Sequence, residues 1–193
     1  MIGYYLSHPQ VVIDATVPIP DWSLSATGRN RIVAALDRPW LRTLRRIVSS
    51  EERKAIETAD LIAGLSGITR ELRPDMGEND RSATGFLEPE KFEAAADTFF
   101  GNPDQSWQGW ERAVDAQNRI VAAIFKALRE QDVESPVLFV GHGAVGTLLK
   151  CHLTGRPIAR SQDQPPGGGN LFAFSLGDRT LLHDWTAIEA FEG

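Results

Sequence analysis

The chain has 193 residues, 42% of them hydrophobic and 24% charged, with 20 basic against 26 acidic side chains and a net charge of −6. That length suits one α/β-sized domain spanning residues 1–193, able to bury roughly 70% of its unfolded surface. The acidic balance argues against non-specific nucleic-acid binding, a lone cysteine (Cys151) excludes an internal disulfide, and no apolar run approaches the ~20 residues of a membrane span.

The opening Met1-Ile-Gly-Tyr-Tyr-Leu lacks the basic and long apolar regions of a signal peptide, so a cytoplasmic protein is expected. Ile2 to Leu6 predicts a buried strand ending at Ser7-His8-Pro9. Ser25-Ala-Thr-Gly opens a helix that runs to about Leu36, where Asp37-Arg38-Pro39 stops it. A second strand is expected over Arg45 to Val48. Ser49 and Glu52 have capping-box spacing, which predicts a helix from about Ser50 to Ala63. A third strand is placed at Ile68 to Leu72, followed by a polar excursion (within about residues 73–110) over one sheet edge. Helices are expected at Pro89 to Phe100 and, the longest, at Trp107 to Arg129, where Ile120, Ile124, Ala127 and Leu128 recur at helical spacing. Val137 to Val140 is the most apolar strand, and Gly141-His142-Gly143 leads into a helix to Leu153. Gln164-Pro-Pro-Gly-Gly-Gly169 reads as a surface loop, and Leu171 to Leu176 with Thr180 to His183 as a closing strand pair. Strands alternating with helices imply an α/β fold with a mostly parallel sheet covered on both faces.

Four histidines can be weighed one at a time. His8 and His142 both follow strands, and ligands of open α/β sheets bind at strand carboxyl ends. The helix after His142 offers free N–H groups and a positive dipole end to an anion such as phosphate, with Gly143 keeping the approach open. His152 shares helical spacing with Val145, Leu148 and Leu149 and reads as a core residue. His183 sits in a terminal strand without polar company. Closely spaced metal ligands, phosphate-binding glycine loops and a serine nucleophile elbow are all missing from the sequence, so neither metal nor cofactor is expected.

Taken together, strand-Leu6-Ser7-His8-Pro9, Leu24-Ser-x-x-Gly28, Ser49-Ser50-x-x-x-Lys54-Ala-x-Glu-Thr58-Ala and Val140-Gly-His142-Gly143 resemble the histidine phosphatase (phosphoglycerate mutase-like) superfamily, in order from Ile2 to about Leu153. The resemblance implies a three-layer α/β sandwich with a mixed, mostly parallel sheet. It also implies metal-independent phosphoryl transfer from a small phosphorylated substrate onto a histidine. By that resemblance His8 is the nucleophile, His142 the second pocket histidine, and Lys54 stands where the family carries its second pocket arginine. The family's acid glutamate is replaced by Arg73, which leaves Glu78 as first candidate for the proton donor and Glu71 as second.

Two departures bear on the chemistry. Arg-His-Gly has become Ser7-His8-Pro9, and the other arginine is Lys54. An arginine fork grips phosphate at two points, whereas lysine is one point charge and serine carries none. Ser7, Lys54, Gly143 and Arg81 are the expected phosphate contacts, with Arg81 or Arg53 compensating for the missing arginine. The expected function is a phosphomonoesterase acting through phosphohistidine. The alternative is a catalytically impaired, phosphate-recognising binding or regulatory protein of the same fold.

Overall fold

The computed structural model describes residues 2–130 and 135–193. Six strands form one sheet, β1 (Ile2–Ser7), β2 (Arg46–Ser50), β3 (Arg70–Arg73), β4 (Val137–Gly141), β5 (Asn170–Ser175) and β6 (Leu181–Ala187), in the order β3-β2-β4-β1-β5-β6. The first four are mutually parallel, while β5 runs antiparallel to β1 and β6 antiparallel to β5. The expected mixed, mostly parallel α/β sheet is therefore present.

Alternation along the strands sorts the core into two layers. Tyr4, Leu6, Ile47, Leu138, Val140, Leu171 and Ala173 face α1 (Ala26–Ala35) and α2 (Arg53–Ser66) through Ile32, Ala55, Ala59 and Ile62. On the other side Tyr5, Val48, Val137, Phe139, Phe172 and Phe174 meet α3 (Pro89–Gly101), α4 (Ala113–Arg129) and α5 (Gly143–Thr154) through Phe99, Ile120, Ile124 and Leu148. Each fully buried side chain of this size stabilises the fold by about 1.5–3 kcal/mol. No helix among the described residues is long and apolar enough to cross a membrane.

Several local readings are corrected. The Ser49–Glu52 capping box does not form. Ser49 stays in β2, the Ser50 hydroxyl accepts the Glu52 N–H (3.2 Å), and α2 begins only at Arg53. Glu52 caps nothing because its carboxylate is drawn to buried partners described below. The longest helix begins at Ala113 rather than Trp107, since Gln108 (φ 45°) and Gly109 (φ 87°) turn the chain out of helical geometry. His152 is exposed at the edge of the Phe125 ring (5.7 Å) and is not a core residue.

The polar excursion after β3 does not run over a sheet edge. Met76 is buried in the core, and Arg119 of α4 donates to the carbonyls of Asp75 (3.0 Å), Gly77 (2.8 Å) and Glu78 (3.1 Å). Those bonds hold the segment across the carboxyl ends of the central strands. Loop 164–169 comes back to the same end, because β5 is antiparallel and pairs Leu171 with Leu6.

Candidate active site

β1 and β4 are adjacent and parallel, with Ser7 opposite Gly141, so His8 and His142 emerge side by side with ring centroids 5.3 Å apart. The His8 N–H continues the ladder to the Gly141 carbonyl (2.9 Å), and its own carbonyl accepts from Gly169 N–H (3.0 Å). Gly168, at φ +61°, passes so close that a Cβ there would lie 2.3 Å from the His8 carbonyl oxygen. The glycine run is therefore a wall that fixes His8, rather than merely a surface loop. His8 Nδ1 lies 2.8 Å from the Pro9 carbonyl. A carbonyl only accepts, so Nδ1 carries the proton and Nε2 keeps its lone pair. Burial, then the Lys54 charge, holds the imidazole down to about 4, so it is neutral at physiological pH.

His142 is fully buried, and a tyrosine clamps its backbone. Tyr5 Oη accepts the His142 N–H (3.1 Å) and donates to the His142 carbonyl (3.2 Å). A Cβ on Gly141 would sit 2.4 Å from that oxygen, which requires glycine there. Nε2 of His142 lies 2.9 Å from Ser50 Oγ and 3.4 Å from Glu52 Oε1, while Nδ1 has no hydrogen-bond partner among the described residues. Burial lowers this imidazole well below its ordinary value, against the opposing pull of Glu52.

Lys54 is buried and does not line the cavity. Its ammonium is held by the Glu52 carboxylate and donates to the Ile19 carbonyl (2.9 Å). Glu52 also accepts the Glu78 N–H (2.8 Å). Although burial opposes ionisation, the Lys54 ammonium and the hydrogen bonds from Lys54 and the Glu78 N–H help hold Glu52 down to about 2, so Glu52 and Lys54 form an internal ion pair. Lys54, expected from the sequence to contact phosphate, is instead engaged by Glu52 and the Ile19 carbonyl. Ser7 is engaged as well. Its fully buried hydroxyl donates to Gln164 Oε1 (2.5 Å), accepts from the Asn170 N–H (3.2 Å) and faces the interior.

A cavity of about 590 Å³ opens in front of His8, within the range of small-molecule sites. Glu78, Asn79, Arg81, Gly143 and Gln164 contribute to its lining. The Glu78 carboxylate sits on the first turn of α5, accepting from Ala144 N–H (3.3 Å) and Val145 N–H (3.1 Å). The helix end offered to phosphate in the sequence reading is thus occupied by Glu78, and Gln164 packs so close to Gly143 that a Cβ there would lie 2.2 Å from its amide nitrogen. Burial pushes the Glu78 carboxyl up, and Arg81 and the helix N–H groups only partly offset it. Arg81 reaches the cavity with its guanidinium 4.8 Å over the Phe92 ring, and among the described residues no carboxylate lies within ion-pair distance of it. Asn79 is buried, and its amide nitrogen has no hydrogen-bond partner among the described residues.

The remaining candidates lie elsewhere. Glu71 makes a bidentate pair with Arg46 (2.6 and 2.7 Å) on β3, which lowers its carboxyl. Arg53 is exposed and pairs with Glu57 one turn on (3.1 Å). Arg73 is bound to Glu130. Glu52, Asn79 and Gln164 were missed as site residues. Only the adjacency of Glu52 to Lys54, and of Asn79 to Glu78, could have signalled them.

An α/β sandwich presenting two histidines on neighbouring parallel strand ends, one of them lining a small-molecule-sized cavity, has the layout of a histidine-centred phosphoryl-transfer domain. The chain belongs to the histidine phosphatase superfamily, branch 1, whose family model matches residues 14–180. That span begins beyond Ser7-His8-Pro9. Among solved structures it is similar to Bacillus stearothermophilus YhfR (TM-score 0.81, 20% identity, 97% of this chain and 98% of that one). It is also similar to a mycobacterial glucosyl-3-phosphoglycerate phosphatase bound to inorganic phosphate (0.77, 21%, 98% and 99%). A third is a putative α-ribazole-5′-P phosphatase from Escherichia coli (0.75, 15%, 98% and 98%). At these identities the likeness is one of fold. No curated protein matches the chain.

Proposed function

We propose that the protein is a metal-independent phosphatase that hydrolyses small phosphomonoesters through a phosphohistidine at His8. The observation that carries this reading is the His8–Pro9 contact: Nδ1–H donates to the Pro9 carbonyl, which leaves the unprotonated Nε2 as nucleophile. Nε2 attacks phosphorus, the ester P–O bond breaks, and Glu78 protonates the departing alkoxide. Its raised carboxyl suits a group that must arrive protonated. Water, deprotonated by the Glu78 carboxylate, then attacks phosphorus, which breaks the N–P bond and releases inorganic phosphate.

Arg81, whose guanidinium has no carboxylate within ion-pair distance among the described residues, is the phosphoryl ligand in this scheme, and Asn79 beside it has a buried amide nitrogen still to be partnered. His142, its ring 5.3 Å from that of His8, is the second histidine of this scheme and would give its unpartnered Nδ1 to the same group. A dianion at Nδ1 and Glu52 at Nε2 together favour the imidazolium. Phosphorylation by a small donor, quenched in base, should leave acid-labile phosphate on the peptide containing His8 and none in His8→Ala. Equal label in that variant would reject His8.

The neutralised Lys54 and the inward Ser7 favour a second reading, a phosphate-recognising protein with little turnover. Phosphate binding without hydrolysis of any aryl phosphate, with or without EDTA, would select it.

A further inference from the structure

Beside the cavity lies a smaller hollow of about 210 Å³, walled mainly by Ile19, Trp22, Phe86 and Leu87. The two spaces share Ile13, Arg81, Phe92 and Glu93, so the hollow is a side chamber of the site rather than a separate groove. Trp22 and Phe86 meet edge to face with centroids 6.1 Å apart. The indole nitrogen is occupied by the carbonyls of Asp14 (2.9 Å) and Val17 (3.0 Å), which leaves the ring as an apolar wall with no free polar edge. Ile13, at the mouth, is 62% exposed. A large aliphatic side chain left open beside an apolar chamber is surface that a ligand would cover.

The charges around both spaces point the same way. Arg81 and Arg160 are the cations lining them among the described residues. Arg160 is bound to Glu93 and lies 3.1 Å from Asp163 and 3.6 Å from Asp97. Once Arg81 holds the phosphoryl group, a substrate carrying a carboxylate or a second phosphate finds no unmatched cation and meets Glu93 at the junction. Resting on the hydrolase reading, we infer that the substrate is a phosphomonoester of an uncharged alcohol with an aromatic or branched hydrocarbon body, lodged in this chamber against the wall that Trp22 and Phe86 form together. Arg81, stacked on Phe92 where the two spaces join, holds the phosphate end while the hydrocarbon enters the chamber.

The test compares 3-phenylpropyl phosphate with glycerol 1-phosphate, both primary-alkyl esters, so that leaving-group chemistry is nearly matched. The ratio of kcat/KM should favour the phenylpropyl ester by about tenfold to hundredfold, the worth of burying such a group. Phe86→Ala should reduce that ratio about tenfold. Ile13→Asn, at an exposed position, replaces it should Phe86→Ala not fold. A ratio near one with clear hydrolysis of both esters overturns the chamber assignment and leaves the hydrolase reading standing. If neither ester is hydrolysed, binding of 3-phenylpropylphosphonate against methylphosphonate decides by calorimetry. A tenfold preference keeps the chamber while the hydrolase reading fails, and equal affinities overturn the chamber.

Discussion

Two cations stand near the paired histidines, and the fold uses them in opposite ways. At the start of α2, Lys54 is buried against Glu52 and a carbonyl, and its charge is spent inside the protein. On the segment after β3, Arg81 stacks on Phe92 and turns an unmatched guanidinium to the cavity. The comparison teaches that a positive residue at a motif position does not define a phosphate site. What matters is whether a carboxylate has already claimed it.

The largest effect expected concerns the acid on the Arg81 side. Glu78→Gln should slow alkyl phosphate hydrolysis by about 10²–10⁴-fold, while aryl phosphates, which leave with little help, should lose less. Equal losses on both would assign the proton elsewhere.

Next in size is the Lys54 side. Lys54→Met leaves Glu52 as an uncompensated buried carboxylate, so stability should fall by about 3–5 kcal/mol. Denaturant titration reads that loss. Competitive inhibition by vanadate should barely change in the same variant, and a large affinity loss with intact stability would break the contrast between the two cations. Arg81→Ala should give the opposite pattern. Phosphate and vanadate affinity should drop by roughly 10- to 150-fold, the worth of one charged hydrogen bond, with stability close to wild type.

The sheet was legible because Tyr4, Leu6, Leu138 and Val140 form short runs between turn signals, and burial demands such runs in parallel strands. His8 and His142 were legible for the same reason, since each follows a strand whose end the pattern marks. The pairing of Glu52 with Lys54 was not, because Glu52 two residues before Lys54 reads equally well as a helix cap. Ser7 was misread for a related reason. Chain order puts it next to His8, but strand alternation sends its hydroxyl inward to Gln164 and Asn170, partners more than 150 residues away. Glu78 on α5 depends on Arg119 holding three carbonyls of the excursion, a contact no local pattern carries.

The smallest effect sharpens the comparison through pH. His8 is held down to about 4 in the folded protein by burial and by Lys54, against an ordinary value of 6.5. The unfolded chain therefore takes up the proton first. Stability from this group is complete above about pH 6.5 and is lost as pH falls towards 4, by up to about 1.4 kcal/mol per pH unit. His142 shifts in the same direction. Glu52, lowered from 4.5 to about 2, adds its own loss only below about pH 4.5. Between pH 6.5 and 4.5 the buried imidazoles make stability rise with pH, while Glu78, whose carboxyl burial raises, works in the opposite direction. His8→Gln removes one of the imidazoles, so its unfolding free energy should vary less steeply with pH across that window than the wild type's. Parallel curves would mean that His8 is protonated alike in both states and that Lys54 does not press on it, which would place the ammonium's field away from the nucleophile.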